Sequence, residues 1–294
     1  MKVAIFGQYY LVSTEPIIKD IFVFFNNNDV EMVIEENFLN MLYEKKIIEH
    51  QYNTFSSHDE LDSSFDMLIS IGGDGTMLRA VTLVRNSGVP ILGINAGRLG
   101  FLATVQKENI AAFMQIVIDK KYKISKRALL SLTCDPENKS LEGLNFALNE
   151  ITVGRKDTTS MITIETYLDD EFLNSYWADG LIIATPTGTT GYSLSCGGPI
   201  LTPDVKSLVI TPIAPHNLNA RPLVIPDSTE IRIKVSGREE QYLVSLDSRI
   251  TSATNDSFLT IKKTDFEINM VEIPGETFLK TLRTKLLWGE DRRN

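Results

Sequence analysis

The residues best suited to chemistry in this 294-residue chain are Gly72-Gly73-Asp74-Gly75-Thr76, directly behind the apolar run 65–71. A buried strand that ends in a glycine turn and re-enters as a helix leaves a cleft at its carboxyl end, where open α/β sheets take ligands. Gly72, Gly73 and Gly75 remove the side chains that would keep a phosphate from backbone N–H groups. The following helix adds the partial positive charge of its N-terminus. Asp74 is out of keeping with a plain phosphate loop, because a carboxylate repels phosphate. It calls for a second task, either taking a proton from a hydroxyl or holding Mg²⁺. An ordinary structural turn is the competing reading. No Gly-Lys-Ser/Thr follows, and the spacing G-x-G-x-x-G is not met, so neither of those phosphate loops applies.

A second glycine turn lies far along the chain. Thr185-Pro186-Thr187-Gly188-Thr189-Thr190-Gly191-Tyr192-Ser193 follows the apolar run 181–184. Its threonines, glycines and proline suit a rigid loop that presents hydroxyls and amides to a polar ligand, with Tyr192 offering a ring for a base to stack on. The alternative is a polar turn opening a short helix, capped by Thr190 or Ser193. Asp179-Gly180 places a carboxylate just before the same strand. Asn149-Glu150 can supply an amide and a carboxylate to a base or ribose, or else be a solvated strand end. His216 reads as a structural residue, while His50 and His58 carry no signal.

The elements that must position these residues change character along the chain. Residues 1–122 alternate strand patterns (3–6, 30–34, 65–71, 90–93) with helical ones (15–25, 76–85, 110–118), which predicts a mostly parallel sheet with helices on its faces. Residues 123–274 read as short strands: a hairpin of 161–168 and 172–177 around Asp169-Asp170, then 231–235, 241–246, 257–262 and 266–271. They predict an all-β, sandwich-like domain. A closing helix over 276–287 has Leu279, Leu282 and Leu286 as its expected apolar stripe.

Composition sets the limits. A formal charge of −9 disfavours a nucleic-acid partner, since affinity for duplexes rests on Lys and Arg neutralising phosphates. Cys134 and Cys196 lie far apart without metal-ligand spacing, so no metal site is expected from them and a reducing, cytoplasmic setting is. No apolar run approaches membrane-span length, and the first residues read as a strand rather than a signal peptide, so a membrane partner is not expected.

Taken together, the two glycine turns with Asn95-Ala96-Gly97-Arg98-Leu99-Gly100-Phe101-Leu102, Asn149-Glu150, Asp179-Gly180, Gly197-Gly198-Pro199-Ile200, Pro212-Ile213-Ala214-Pro215-His216 and Arg221-Pro222-Leu223 resemble bacterial NAD kinases in content and order. So does the closing Leu282-Arg283-Thr284-Lys285-Leu286-Leu287-Trp288-Gly289. The resemblance runs from about residue 65 to the end. One departure is Gly191, where that family usually has alanine, which implies a slightly looser turn. The resemblance implies a Rossmann-like first domain (1–122) with a C-terminal helical segment (275–294) packing back on it, and an NAD-binding β domain (123–274). It implies Mg²⁺-dependent transfer of the γ-phosphoryl group of ATP to the 2′-hydroxyl of the adenosine ribose of NAD, with Asp74 as base. The amides of Gly72, Gly73, Gly75 and Thr76 would face phosphates. From its place one turn into the helix, Arg79 either reaches a phosphate or lies on a solvated face, and Arg98 and Arg221 are further candidate phosphate partners because guanidinium binds phosphate in a fork. Asn149, Glu150, Asp179, Thr187, Thr190, Gly191, Tyr192, Ser193, Leu194, Ser195 and Ala214 would line the nucleotide sites. A homodimer or homotetramer is implied as well.

Three other readings share features with this one. Diacylglycerol-type lipid kinases resemble the chain around Gly-Gly-Asp-Gly-Thr, but they need an apolar substrate groove that the polar second turn argues against. Phosphofructokinases carry a comparable turn in a longer chain. A non-catalytic NAD or NADP sensor would have no need of Asp74.

Overall fold

Apolar runs build the inner strands of the first sheet, because inner parallel strands are buried on both faces. The computed structural model describes residues 1–8, 14–105, 110–157 and 160–289. β1 (Lys2–Gly7) leads to α1 (Glu15–Asn27), which carries Pro16 in its first turn, where a missing N–H costs nothing. That helix buries Ile17, Ile18, Ile21, Phe22 and Phe25 at helical spacing. β2 (Glu31–Glu35) passes straight into α2 (Glu36–Glu44), a helix that the sequence reading did not foresee. Glu35 starts it by accepting the Phe38 N–H at 2.8 Å. Then come β3 (Asn53–Phe55), β4 (Met67–Gly72), α3 (Asp74–Val84), β5 (Ile91–Asn95), α4 (Ile110–Ile118) and β6 (Lys123–Arg127).

The middle of the chain is antiparallel. Its strands are β7 (Leu130–Asp135), β8 (Phe146–Ala147), β9 (Glu150–Gly154), β10 (Ile162–Leu168), β11 (Glu171–Ala178) and β12 (Gly180–Ala184). After the short helix α5 (Tyr192–Ser195) follow β13 (Ser207–Ile213), β14 (Leu223–Pro226), β15 (Ile231–Ser236), β16 (Gln241–Leu246), β17 (Arg249–Thr254) and β18 (Phe258–Lys263). They form two six-stranded sheets, β11-β10-β15-β18-β7-β8 and β14-β13-β12-β9-β16-β17. Alternate residues of both, among them Ile164, Ile233 and Leu259 from one and Ile151, Val153, Leu181 and Val244 from the other, share one core, as in a β-sandwich. The expected hairpin is present, with Asp169 and Asp170 both at positive φ (47° and 67°), the backbone that a two-residue hairpin turn demands.

The chain then returns to the first unit. β19 (Ile268–Glu272) pairs in parallel with β5, completing the order β3-β2-β1-β4-β5-β19-β6. The sequence reading placed this segment among the strands of the β domain. Met270 and Val271 are neighbours and both buried, as an inner strand of a parallel sheet requires and a half-solvated antiparallel strand does not. The two compact units are accordingly Met1–Lys126 with Ile268–Asn294, and Arg127–Glu267. Strand order reverses between β1 and β4, which puts the switch-point crevice outside Gly7 and Gly72.

The final helix α6 (Phe278–Leu286) belongs to the first unit and packs Phe278 against Phe101, ring centroids 6.4 Å apart. Its buried face keeps Leu282 and the half-buried Leu286 of the expected stripe but not Leu279. Thr281 and Leu282 are buried, whereas Leu279 is 60% exposed.

Candidate active site

In the first unit Asp74 opens α3 at the end of β4. Its carboxylate is clamped from the other side by a loop. Oδ2 accepts the Phe101 N–H at 2.7 Å, and Oδ1 accepts those of Leu102 and Ala103 at 2.9 and 3.1 Å. Gly100 makes that approach possible, because a β-carbon there would lie 1.9 Å from Oδ1. A carboxylate offers about four acceptor positions, so one remains for a ligand. Asn95, at the end of β5, shapes the same loop by accepting the Gly97 N–H at 2.8 Å.

The glycines flanking Asp74 are informative for a different reason. Gly73 has a φ of −97°, and neither Gly73 nor Gly75 adopts the left-handed backbone that favours glycine. A β-carbon on either would meet no protein atom within 4 Å, and both are exposed. Neither backbone geometry nor packing asks for glycine at these positions. Close approach of a ligand to the backbone does. Gly72 is different: a β-carbon there would strike the Thr76 hydroxyl at 2.3 Å, so it serves the helix start, as does the buried Thr76. Arg79 is exposed one turn along α3 and borders a cavity of about 140 Å³ with Gly7, Glu35 and Asn37.

In the second unit Asn149 and Glu150 stand at the start of β9. Three side-chain oxygens here are buried without a hydrogen-bond partner among the described residues: Asn149 Oδ1, Glu150 Oε2 and Thr152 Oγ1. Leaving such atoms unpaired costs about 1–3 kcal/mol each, so their presence marks a place built for a polar ligand. Glu150 is 9% exposed. Burial first, then the neighbouring Asp247 charge, pushes its carboxyl up to about 7, partly offset by a hydrogen bond from the Tyr192 backbone.

The second glycine turn packs onto this pair. Gly188 lies so close that a β-carbon would come within 2.0 Å of the Asn149 carbonyl, and the Thr185 hydroxyl donates to the Leu148 carbonyl at 2.6 Å. At Gly191 a β-carbon would sit 2.8 Å from Glu150 Oε2, so the glycine that sets this chain apart from the family pattern gives room to that carboxylate. Tyr192 is 46% exposed and lines a cavity of about 430 Å³ with Thr152, Arg155, Asp179, Leu243 and Ile250. Arg155 and Asp179 form an ion pair at 3.1 Å on its wall.

The other expected site residues are placed as follows. Ser193 is fully buried and its hydroxyl is hydrogen-bonded to that of Thr211 at 2.8 Å, away from solvent. Thr187 is buried, and Thr190 donates to the Thr187 carbonyl at 3.1 Å, closing the turn. Leu194 is half-buried and Ser195 exposed on α5. Ala214 is exposed with a φ of 42°, and Arg98 is exposed. Arg221 donates to the carbonyls of Leu218 and Ala220 at 2.7 and 2.8 Å. His216 is held by its backbone N–H on the Trp177 carbonyl and by ring contact with Trp177 at 4.4 Å, a structural role. Sequence reasoning missed Arg155 and Asp247. A basic residue just past Val153-Gly154 was a usable signal for the first; nothing local marks the second.

Residues 10–122 match the family model for the ATP-NAD kinase N-terminal domain, and residues 148–273 that for the ATP-NAD kinase C-terminal domain. The chain is 75% identical to an NAD kinase of Flavobacterium johnsoniae and 72% identical to one of Flavobacterium psychrophilum, over the whole of each chain. An NAD kinase of Porphyromonas gingivalis is 38% identical over 98% of both. Among solved structures, yeast NADH kinase complexed with NADH shares the fold, with a TM-score of 0.85 and 24% identity over 99% of this chain and 88% of that one. An NAD kinase from Archaeoglobus fulgidus in complex with ATP matches at a TM-score of 0.74 and 25% identity over 97% of each. The lipid-kinase and sensor alternatives find no support in these matches. With both of its units matched in order and its relatives aligned from end to end, the chain belongs to the ATP-NAD kinase family.

Proposed function

We propose a division of labour for the NAD kinase reaction of this enzyme. The γ-phosphoryl group of ATP passes to the 2′-oxygen of the adenosine ribose of NAD. The new O–P bond forms as the bond to the β-phosphate oxygen breaks, and ADP leaves. Asp74 receives the proton of the attacking hydroxyl at its one remaining acceptor position. The exposed backbone around Gly73 and Gly75 receives phosphate oxygens, and Arg79 adds a guanidinium. Asn149, Glu150 and Tyr192 hold the NAD nucleotide, the first two through oxygens that the fold leaves unpaired. The observation that carries this reading is the pair of glycines beside Asp74 that neither backbone nor packing requires.

A divalent cation fits the donor set in one way. Among the described residues no cluster of three or more His, Cys, Asp or Glu could hold a metal. Mg²⁺ would be held chiefly by the substrate phosphates, with the Asp74 carboxylate as a protein oxygen that could share it, and would supply charge neutralisation there. No helix among the described residues is long and apolar enough to cross a membrane. Placement in the cytoplasm, and assembly as a dimer or tetramer through the sandwich, complete the proposal. Ile250, exposed on the edge strand β17, supports the assembly, which light scattering at micromolar concentration tests.

The test of the reaction is regiochemical. Phosphorus NMR of the product should show a single new phosphomonoester on the adenosine 2′-oxygen. NAD lacking that hydroxyl should bind without being phosphorylated. Transfer to the 2′-deoxy compound would contradict the reading.

A further inference from the structure

The Asn149-Glu150 pair owes its geometry to a residue about one hundred positions away. Asp247 occupies the β16–β17 turn at a φ of 53°, a left-handed backbone that aspartate adopts more readily than most residues. Its Oδ1 accepts the N–H groups of Asn149 at 2.7 Å and Glu150 at 3.2 Å, and its Oδ2 accepts that of Leu148 at 2.9 Å. The Asp247 N–H donates in turn to the Glu150 carbonyl at 3.0 Å. Four hydrogen bonds thus tie one residue to three consecutive ones. They use only backbone groups of that segment, so they spend neither Asn149 Oδ1 nor Glu150 Oε2. Two residues on, Arg249 donates to the carbonyls of Leu144 and Phe146, upstream of the segment.

The chemistry at this point requires a carboxylate. Three converging N–H donors want a group that only accepts, and an asparagine would turn an NH₂ toward one of them. Burying a carboxylate beside a second one is unfavourable, and Asp247 is held above the usual carboxylate range by burial despite its three N–H partners. The acceptor capacity of this carboxylate goes to the backbone that carries Asn149 and Glu150. We propose that Asp247 is a positioning residue for NAD: it locks the backbone of residues 148–150 so that Asn149 and Glu150 present their free oxygens to the nucleotide. This rests on the assignment of those two residues to the NAD site.

The test is NAD affinity by calorimetry with steady-state kinetics on full-length Asp247→Asn, Asp247→Glu and Arg249→Gln. Asp247→Asn keeps volume and one acceptor oxygen, while Asp247→Glu keeps the charge. Arg249→Gln loosens the same loop but leaves the three carboxylate contacts in place. The expected result is at least tenfold weaker NAD binding in Asp247→Asn, with KM for ATP within twofold of wild type. Asp247→Glu should fall between, and Arg249→Gln should bind NAD within twofold of wild type. A folded Asp247→Asn that binds NAD as wild type does would overturn the proposal, as would equal losses in the Asp247 and Arg249 variants. Should the Asp247 variants not fold, hydrogen exchange on the wild type decides. The amides of Leu148, Asn149 and Glu150 should exchange as slowly as core strands, and exchange at the rate of exposed turns would overturn the lock. A wild-type chain that does not bind NAD at all would instead sink the site assignment itself.

Discussion

A β-carbon on Gly100 would lie 1.9 Å from Oδ1 of Asp74, so the loop that clamps this carboxylate can close only over glycine. Substitution with alanine must push the loop away and take with it the N–H donors of Phe101, Leu102 and Ala103. Misplacing a reacting group by about 1 Å costs on the order of 10²-fold in rate. Gly100→Ala should therefore lower kcat by about 10²-fold or more while the NAD affinity stays near wild type. Gly97→Ala, where a β-carbon meets nothing within 4 Å, serves as the control and should stay within a few fold. Equal kcat values in the two variants would show that the clamp does not matter.

Gly75 separates stability from function. It lies in the first turn of α3, where alanine is the better helix former by up to about 1 kcal/mol. Gly75→Ala should be as stable as wild type or slightly more so in urea unfolding, yet raise KM for ATP about tenfold by occupying the space in front of the backbone. An unchanged KM would mean that phosphates do not approach here.

Glu150 makes stability depend on pH. In the folded chain its carboxyl titrates near 7 against an ordinary value of 4.5, because burial disfavours the charged form. The fold thus keeps a proton that the unfolded chain gives up. This contribution is fully present below about pH 4.5 and is lost as pH rises to about 7, a change of about 3 kcal/mol. Glu150→Gln cannot ionise, so it should gain on wild type between pH 5 and pH 8 by roughly that amount in urea unfolding. A stability difference that does not vary with pH would contradict the burial argument.

What was legible in the sequence followed from local chemistry. The runs at β1 and β4 announced a parallel sheet because both faces are apolar, and Asp169-Asp170 announced a hairpin because turns need residues tolerant of positive φ. The glycine turn at Asp74 was legible because three glycines behind an apolar strand leave the backbone open to a ligand. β19 was not, since its pairing with Ile91 joins residues about 180 apart and its length resembles that of the antiparallel strands before it. Leu279 misled because Phe278 rather than Leu279 found a partner in Phe101. Ser193 read as a ligand group, yet its hydroxyl meets Thr211, a contact that only the folded sandwich creates. Asp247 was silent because its role is carried by backbone bonds across the fold.

The most direct test is NADP formation from ATP, Mg²⁺ and NAD by wild type and Asp74→Asn. The amide keeps the size of the carboxylate but cannot take a proton, and loss of a positioned base costs about 10²–10⁴ in rate. The account predicts turnover in the wild type, a fall of at least a hundredfold in kcat for Asp74→Asn, and NAD binding within threefold of wild type. A variant that keeps more than a tenth of wild-type kcat would contradict the role given to Asp74.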